Sequence, residues 1–371
     1  MNADRQALPA YVIRYSDSSF TNPHEVVRPD EPEDRRGRFT HMGAMFWGFE
    51  TRRHRGHAVQ TERATIRFDH DAEHLLHIGL VSPARVDEIR ISTRWFTGNQ
   101  VRAVSVDLRD RDDGDWITVL SRVPLDPDAE HVLPVPATVA RECRVRCHQE
   151  GGIARVNLFG TSLPAAPPPV DLLADARISH TSNAHYGRPE QAVSGARREH
   201  HMVGWESART GFGEQALFTL THPARIHTLQ VDTYLHRLNA PLTCHLFGLP
   251  EADAGGAPED DALTAALQRA PRWQLRFDDG HRVMPEDFRS YMLEARYLQE
   301  PVADPRRFDV GLAQGENSPW RPLVPFAPLT PDTLHRFPVD DRSTPFRCLL
   351  FLFYPNGGIH GLQVHGRPVL A

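Results

Sequence analysis

The sequence contains no lysine, so all 42 of its basic residues are arginines. Chemistry that needs a lysine amine is thereby excluded: Schiff-base catalysis, lysine-anchored pyridoxal phosphate, P-loop nucleotide hydrolysis and protein phosphorylation. Arginine stays charged and offers carboxylates a planar fork, but it is a poor proton shuttle near neutral pH. Proton transfer must fall to Asp, Glu, His, Tyr or Cys. Cysteine is scarce as well, with four in 371 residues. Cys143 and Cys147 share a face of one expected strand and the other two lie far away. No CxxC zinc spacing occurs, so the thiols read as packed side chains rather than a disulfide frame. No apolar run approaches the roughly 20 residues of a membrane span. The N-terminus lacks a basic stretch followed by an apolar one, so the expectation is a cytoplasmic protein. Positive charge is not in excess either. A net charge of −6 gives no reason to expect nucleic acid as a partner.

What is present is ordinary globular composition, 40% hydrophobic and 24% charged, at a length suited to two domains. Those two domains are repeats. The run from Pro83 through Ile91 to Thr93 recurs 140 positions on, from Pro223 through Val231 to Thr233, and Asn99 falls on Asn239. Trp116, Pro127-Asp128 and His131 fall 204 positions on, at Trp320, Pro331-Asp332 and His335. Gly151-Gly152-Ile153 falls on Gly357-Gly358-Ile359, and Gly48-Phe49-Glu50-Thr51 answers to Gly204-Trp205-Glu206-Ser207. The change of offset places about 64 extra residues in the second copy, between Asn239 and Trp320. The proline-rich stretch 163–170 reads as a stiff linker between repeat 1 (11–162) and repeat 2 (171–371), with the insertion at about 250–318.

Within each repeat the apolar pattern has period two. Val86, Ile89 and Ile91 alternate with polar residues, as do the runs 101–108 and 154–159. Short runs rich in Val, Ile and Phe, bounded by Gly, Pro, Asn and Asp, predict antiparallel strands and an all-β sandwich or barrel. The insertion differs. Residues 252–261 read as an acidic loop, and Pro285 to Gln299 places Phe288, Tyr291, Met292, Ala295 and Leu298 on one helical face, the pattern of a docked surface element.

Two segments carry more polar specificity than a sandwich needs. One is Gly48-Phe49-Glu50-Thr51-Arg52-Arg53, echoed by Gly204-Trp205-Glu206-Ser207-Ala208-Arg209; the other is Ser182-Asn183-Ala184-His185-Tyr186-Gly187. A carboxylate two or three residues from guanidinium groups serves equally as a structural ion pair or as a proton-transfer group beside a carboxylate-gripping Arg. No HExxH, GxSxG, GxGxxG or EF-hand pattern occurs, and the 21 histidines show no metal spacing.

These segments strongly resemble the repeats of the allantoicase family. So do Trp320-Arg321-Pro322-Leu323, Pro331-Asp332-Thr333-Leu334-His335 and Pro355-Asn356-Gly357-Gly358-Ile359 in repeat 2, and Phe96-Thr97-Gly98-Asn99 and Gly151-Gly152-Ile153-Ala154-Arg155 in repeat 1. The resemblance covers nearly the whole chain outside the insertion. It implies two tandem jelly-roll β-sandwiches of the galactose-binding-like kind, hydrolysis of allantoate to ureidoglycolate and urea in purine catabolism, and a homo-oligomer. On that basis Glu50 and Glu206 are candidates for proton transfer and Arg52, Arg53 and Arg209 for the substrate carboxylate. Asn183, His185 and Tyr186 are candidates for the ureido groups. The partner implied is a small-molecule ureide, with no nucleic acid or membrane. No cofactor is expected, although a divalent metal remains open.

The sequence also departs from the family pattern. Where the family has Asp-Gly-Trp-Glu, this chain has Trp47-Gly48-Phe49-Glu50 and Val203-Gly204-Trp205-Glu206. The His-Asp-Trp segment after the Arg cluster is reduced to His57-Ala58-Val59 in repeat 1 and to Glu214-Gln215-Ala216 in repeat 2. The aromatic-x-Gly-Asn turn becomes His236-Arg237-Leu238-Asn239. Two other readings therefore stand beside the allantoate hydrolase: an amidine or ureido hydrolase for another carboxylate-bearing substrate, and a non-catalytic binding paralogue.

Overall fold

Period-two alternation folds here into long strands that serve two layers at once. A computed structural model describes residues 6–370 except 20, 41–42, 54–57, 61–64, 70, 112, 165–169, 194–196, 198–203, 209–212, 255–260, 279, 281 and 284–307. The chain divides into two units, Met1–Pro168 and Pro169–Ala371.

In the first unit the strand His74–Ser92 runs through both layers of a jelly-roll-type sandwich. Its first half pairs with Ala10–Tyr15 and with the end of Glu130–Cys147; its second half pairs with the start of that strand and with Arg155–Ser162. Ala103–Arg109 and Ile117–Pro124 extend the first layer. Pro83 stands at the bend between the halves. It has no N–H for a ladder, but its carbonyl accepts from Leu163 N at 2.8 Å. Leu76, Ile78, Val86, Ile89, Ile91, Val106 and Val145 point inward and share one fully buried core.

The second unit repeats this plan. Glu214–Asp232 crosses both layers, paired first with Arg177–Thr181 and Pro345–Tyr354, then with Leu334–Pro338 and Gly361–Pro368. Pro223 marks its bend, accepting from Val369 N at 2.7 Å. Thr243–Pro250 and Arg321–Pro328 extend the first layer.

The repeats part company on the outer face of that layer. Pairing registers equate His77, Asp107, Arg109, Glu142, Arg144 and Arg146 in the first unit with Leu217, Phe247, Leu249, Cys348, Leu350 and Leu352 in the second. The first set is a charged mesh. Asp107, fully buried, accepts from Arg144 and Arg146, and Glu142 holds His77 and Arg109. Trp116 lies against the guanidiniums of Arg109 and Arg144, 4.4 and 4.5 Å from its ring centre. The second set is apolar because the insertion covers it. A helix, Asp261–Gln268, and a three-stranded sheet built on Arg272–Phe277 bring Ala266, Ala270, Trp273, Leu275 and Phe277 onto those leucines. The insertion helix expected over Pro285–Gln299 lies outside the described residues.

All four cysteines are free and buried. Among the described residues no helix is long and apolar enough to cross a membrane.

Candidate functional site

Each repeat places its glutamate on a two-residue strand. Phe49–Glu50 pairs with Gly152–Ile153, and Trp205–Glu206 with Gly358–Ile359. Close backbone approach dictates the glycines: a Cβ on Gly48 would sit 2.3 Å from the Ile153 carbonyl oxygen, and one on Gly204 2.2 Å from that of Ile359. The neighbouring hydroxyls lock the same junction. Thr51 N donates to the Gly151 carbonyl and its hydroxyl accepts from Gly151 N; Ser207 does the same with Gly357.

Each carboxylate meets an asparagine amide. Asn99 Nδ2 donates to Glu50 Oε1 at 3.1 Å, and Asn239 Nδ2 to Glu206 Oε1 at 2.8 Å. The matching motifs of the repeats build the turns that deliver these amides. Trp95 and Leu235 take left-handed conformations (φ 70° and 62°), and their N–H groups are held by Asp128 and Asp332. Thr93 and Thr233 bond across the same corners, while His131 and His335 accept from Asp126 N and Thr330 N. Asn99 and Asn239 were visible in the sequence as landmarks of the repeat. Their partnership with the glutamates was not, because it closes across separate strands.

Glu50 opens on a cleft of about 460 Å³ whose lining includes Arg53, Asn99, Gln100, Arg102 and Glu150. Burial pushes its carboxyl above the ordinary carboxylate value, with the Asn99 bond and the Arg53 charge opposing. Its Oε2 and the Gln100 Oε1 are buried with no hydrogen-bond partner among the described residues. With Gln149 also in the lining, two guanidiniums, two carboxylates and three amides border one small polar space, a donor and acceptor set for a carboxylate-bearing amide or ureide. Arg102 and Gln100 were not singled out by sequence. Their signal was adjacency to Asn99, which carries no chemistry by itself.

The other expected residues are distributed as follows. Arg53 lies in the cleft, whereas Arg52 turns its Nε onto the Ser18 carbonyl at 3.1 Å. Arg209 lies outside the described residues. Asn183 bridges the loop, its Oδ1 accepting from His185 N and Ala208 N and its carbonyl from the Trp205 indole at 2.7 Å. Its counterpart in repeat 1 is Asp17, which accepts from Arg52 N and pairs with His74. His185 and Tyr186 are exposed and packed edge to face at 4.2 Å, and Tyr186 N donates to the Glu206 carbonyl. They border Glu206 through the backbone. Where the family's acid would precede Gly48, Trp47 is buried under the Arg35 guanidinium with its N–H on the Glu33 carbonyl. Val203 and the residues 54–57 lie outside the described residues.

Repeat 2 adds a buried acid. Glu214, on the long strand, takes the Ser182 hydroxyl, and burial pushes its carboxyl up to about 7. The insertion reaches this point, with Trp273 Nε1 donating to the Glu214 carbonyl at 3.3 Å. Among the described residues no three His, Cys, Asp or Glu side chains come together as a metal site.

A family model described as the allantoicase repeat matches residues 2–163 and again 170–369. A probable allantoicase of Nocardia farcinica is 25% identical over 97% of this chain and 92% of its own length. One from Pseudomonas aeruginosa is 26% identical over 98% and 94%. The allantoicase of Neurospora crassa is 26% identical over 68% and 77%.

Proposed function

This chain belongs to the allantoicase family, and we propose that it hydrolyses allantoate to ureidoglycolate and urea in purine catabolism. One observation carries the reading within the chain. Both repeats hold a glutamate against an asparagine amide on the same glycine-bounded strand, and in repeat 1 that pair faces guanidiniums and amides across a small cleft.

Allantoate has a carboxylate on a carbon that bears two ureido groups. In the cleft, Arg53 and Arg102 supply charge for the carboxylate, and the amides of Asn99 and Gln100 suit a ureido group. The reaction breaks one C–N bond. Water oxygen adds to the central carbon, and one proton must reach the nitrogen that leaves as urea. Burial keeps a proton on Glu50 to higher pH than an exposed carboxyl would, which fits a general acid. Glu206 takes the proton-transfer role in repeat 2. The setting we propose is cytoplasmic, in keeping with four free thiols.

The test is a comparison of urea release by the native protein, Glu50→Gln, Glu206→Gln and the double variant. Removing both proton-transfer groups should cost about 10²–10⁴-fold in kcat, and each single variant should lose the share of its own repeat. Full turnover by the double variant would remove these residues from the chemistry.

A further inference from the structure

The two glutamate sites differ in what stands behind the asparagine. In repeat 1 the turn carries Phe96, fully buried against Gly152 and packed with Trp47 and Ala154. In repeat 2 the same place holds His236, equally buried and lying against Gly358. His236 Nδ1 lies 3.2 Å from Asn239 Oδ1, and Asn239 Nδ2 lies 2.8 Å from Glu206 Oε1.

Hydrogen-bonding rules fix the sense of this chain. The amide nitrogen of Asn239 donates to the Glu206 carboxyl, so its oxygen must face the ring. An amide oxygen only accepts, so Nδ1 must carry the proton. Nε2 is then the bare nitrogen, and it is the one buried with no hydrogen-bond partner among the described residues. Burial is the largest influence on the ring and favours its neutral form, against the charges of Glu206, Asp232 and Asp332. Asp232 is itself paired with Arg197, and Asp332 with Arg237. A neutral Nδ1–H tautomer satisfies every one of these constraints.

We infer that His236 is a positioning residue peculiar to repeat 2, which locks the Asn239 amide so that it donates to Glu206. Phe96 has no nitrogen with which to do this for Asn99, so the two glutamates are not equivalent. The inference rests on the proposed role of Glu206 for its catalytic consequence, but the locked amide is a property of the fold and can be measured without turnover.

The test is His236→Phe in the full chain, with His236→Gln as its rescue. Phenylalanine already fills the corresponding space in repeat 1, so the fold should tolerate it. The first readout is the side-chain amide of Asn239, observed by NMR and assigned through Asn239→Asp. It should exchange slowly with solvent in the native protein, exchange faster in His236→Phe, and recover protection in His236→Gln, while Asn99 stays unchanged. The second readout is allantoate turnover in a Glu50→Gln background, where repeat 2 alone acts. Freeing the Asn239 amide from its place against Glu206 should lower that kcat about 10–100-fold, with KM little changed and partial recovery in His236→Gln. Unaltered protection of the Asn239 amide in His236→Phe would overturn the inference. If the native protein fails to turn over allantoate while the amide responds as expected, the functional reading fails and the lock stands.

Discussion

Replacing Trp273 with alanine probes why one sheet face is apolar in repeat 2 and charged in repeat 1. Trp273 is 2% exposed among Leu217, Phe247, Leu350 and Leu352. Its indole lies so close to the Gly213 backbone that a Cβ there would come within 2.4 Å of Nε1. It also packs against Tyr354 with ring centroids 5.4 Å apart. Truncating a buried Trp typically costs about 3–5 kcal/mol. Losing the bond to the Glu214 carbonyl adds ~1 kcal/mol. Against a domain stability of roughly 5–15 kcal/mol, that leaves the second unit marginal. Trp116 in repeat 1 is the control. It is half-buried against two guanidiniums, an arrangement worth about 0.5–2 kcal/mol per contact. Urea denaturation followed by circular dichroism, with limited proteolysis to report which unit opens, measures both variants. The insertion is the cover of that face if Trp273→Ala destabilises the second unit by at least ~3 kcal/mol and Trp116→Ala costs clearly less. Equal small losses, under ~1 kcal/mol, would refute that reasoning.

Three further outcomes follow from the same structure. Burial raises the Glu142 carboxyl, but His77 and Arg109 outweigh it and hold it at about 2. Its contribution is therefore present above pH ~4.5 and is lost as pH falls toward 2, so Glu142→Gln should cost about 3–5 kcal/mol near neutrality and flatten the acid limb of a thermal-melt pH series. Glu214 behaves oppositely. With its folded value raised to about 7, its contribution is complete below the unfolded value and declines as pH rises through 7. Glu214→Gln should accordingly melt higher than the native protein at pH 8 and no higher at pH 4. Gly48 has φ of 71° and no room for a methyl group beside the Ile153 carbonyl. Gly48→Ala should lose at least ~1–3 kcal/mol to backbone strain alone, seen as a lower denaturation midpoint and impaired turnover.

The repeat and the all-β class are legible because each leaves a one-dimensional trace. Period-two alternation marks Ile89 and Ile91 as inward, and a changed offset marks inserted chain. The glutamates were legible through recurrence of Gly-aromatic-Glu. What escaped was pairing across strands. Asn99 and Asn239 matched as letters, yet nothing local says that their amides reach Glu50 and Glu206. Asp17 was missed as the partner of Asn183 because equivalent loop positions carry different side chains, and only shared hydrogen bonds equate them. Asn183 reads in the sequence as a ligand-binding amide, and the fold adds that its oxygen accepts from the backbone of His185 and of Ala208, after the glutamate strand. The contrast between His77 and Leu217 was written in the sequence, but reading it needs the register that aligns their strands.

Purified protein is incubated with 13C-labelled allantoate, and both product carbons are followed by NMR, alongside the Glu50→Gln/Glu206→Gln double variant. The native protein should give urea and ureidoglycolate in equal amounts, and the double variant should lose about 10²–10⁴-fold. A well-folded native protein that leaves allantoate unchanged would contradict the proposed function.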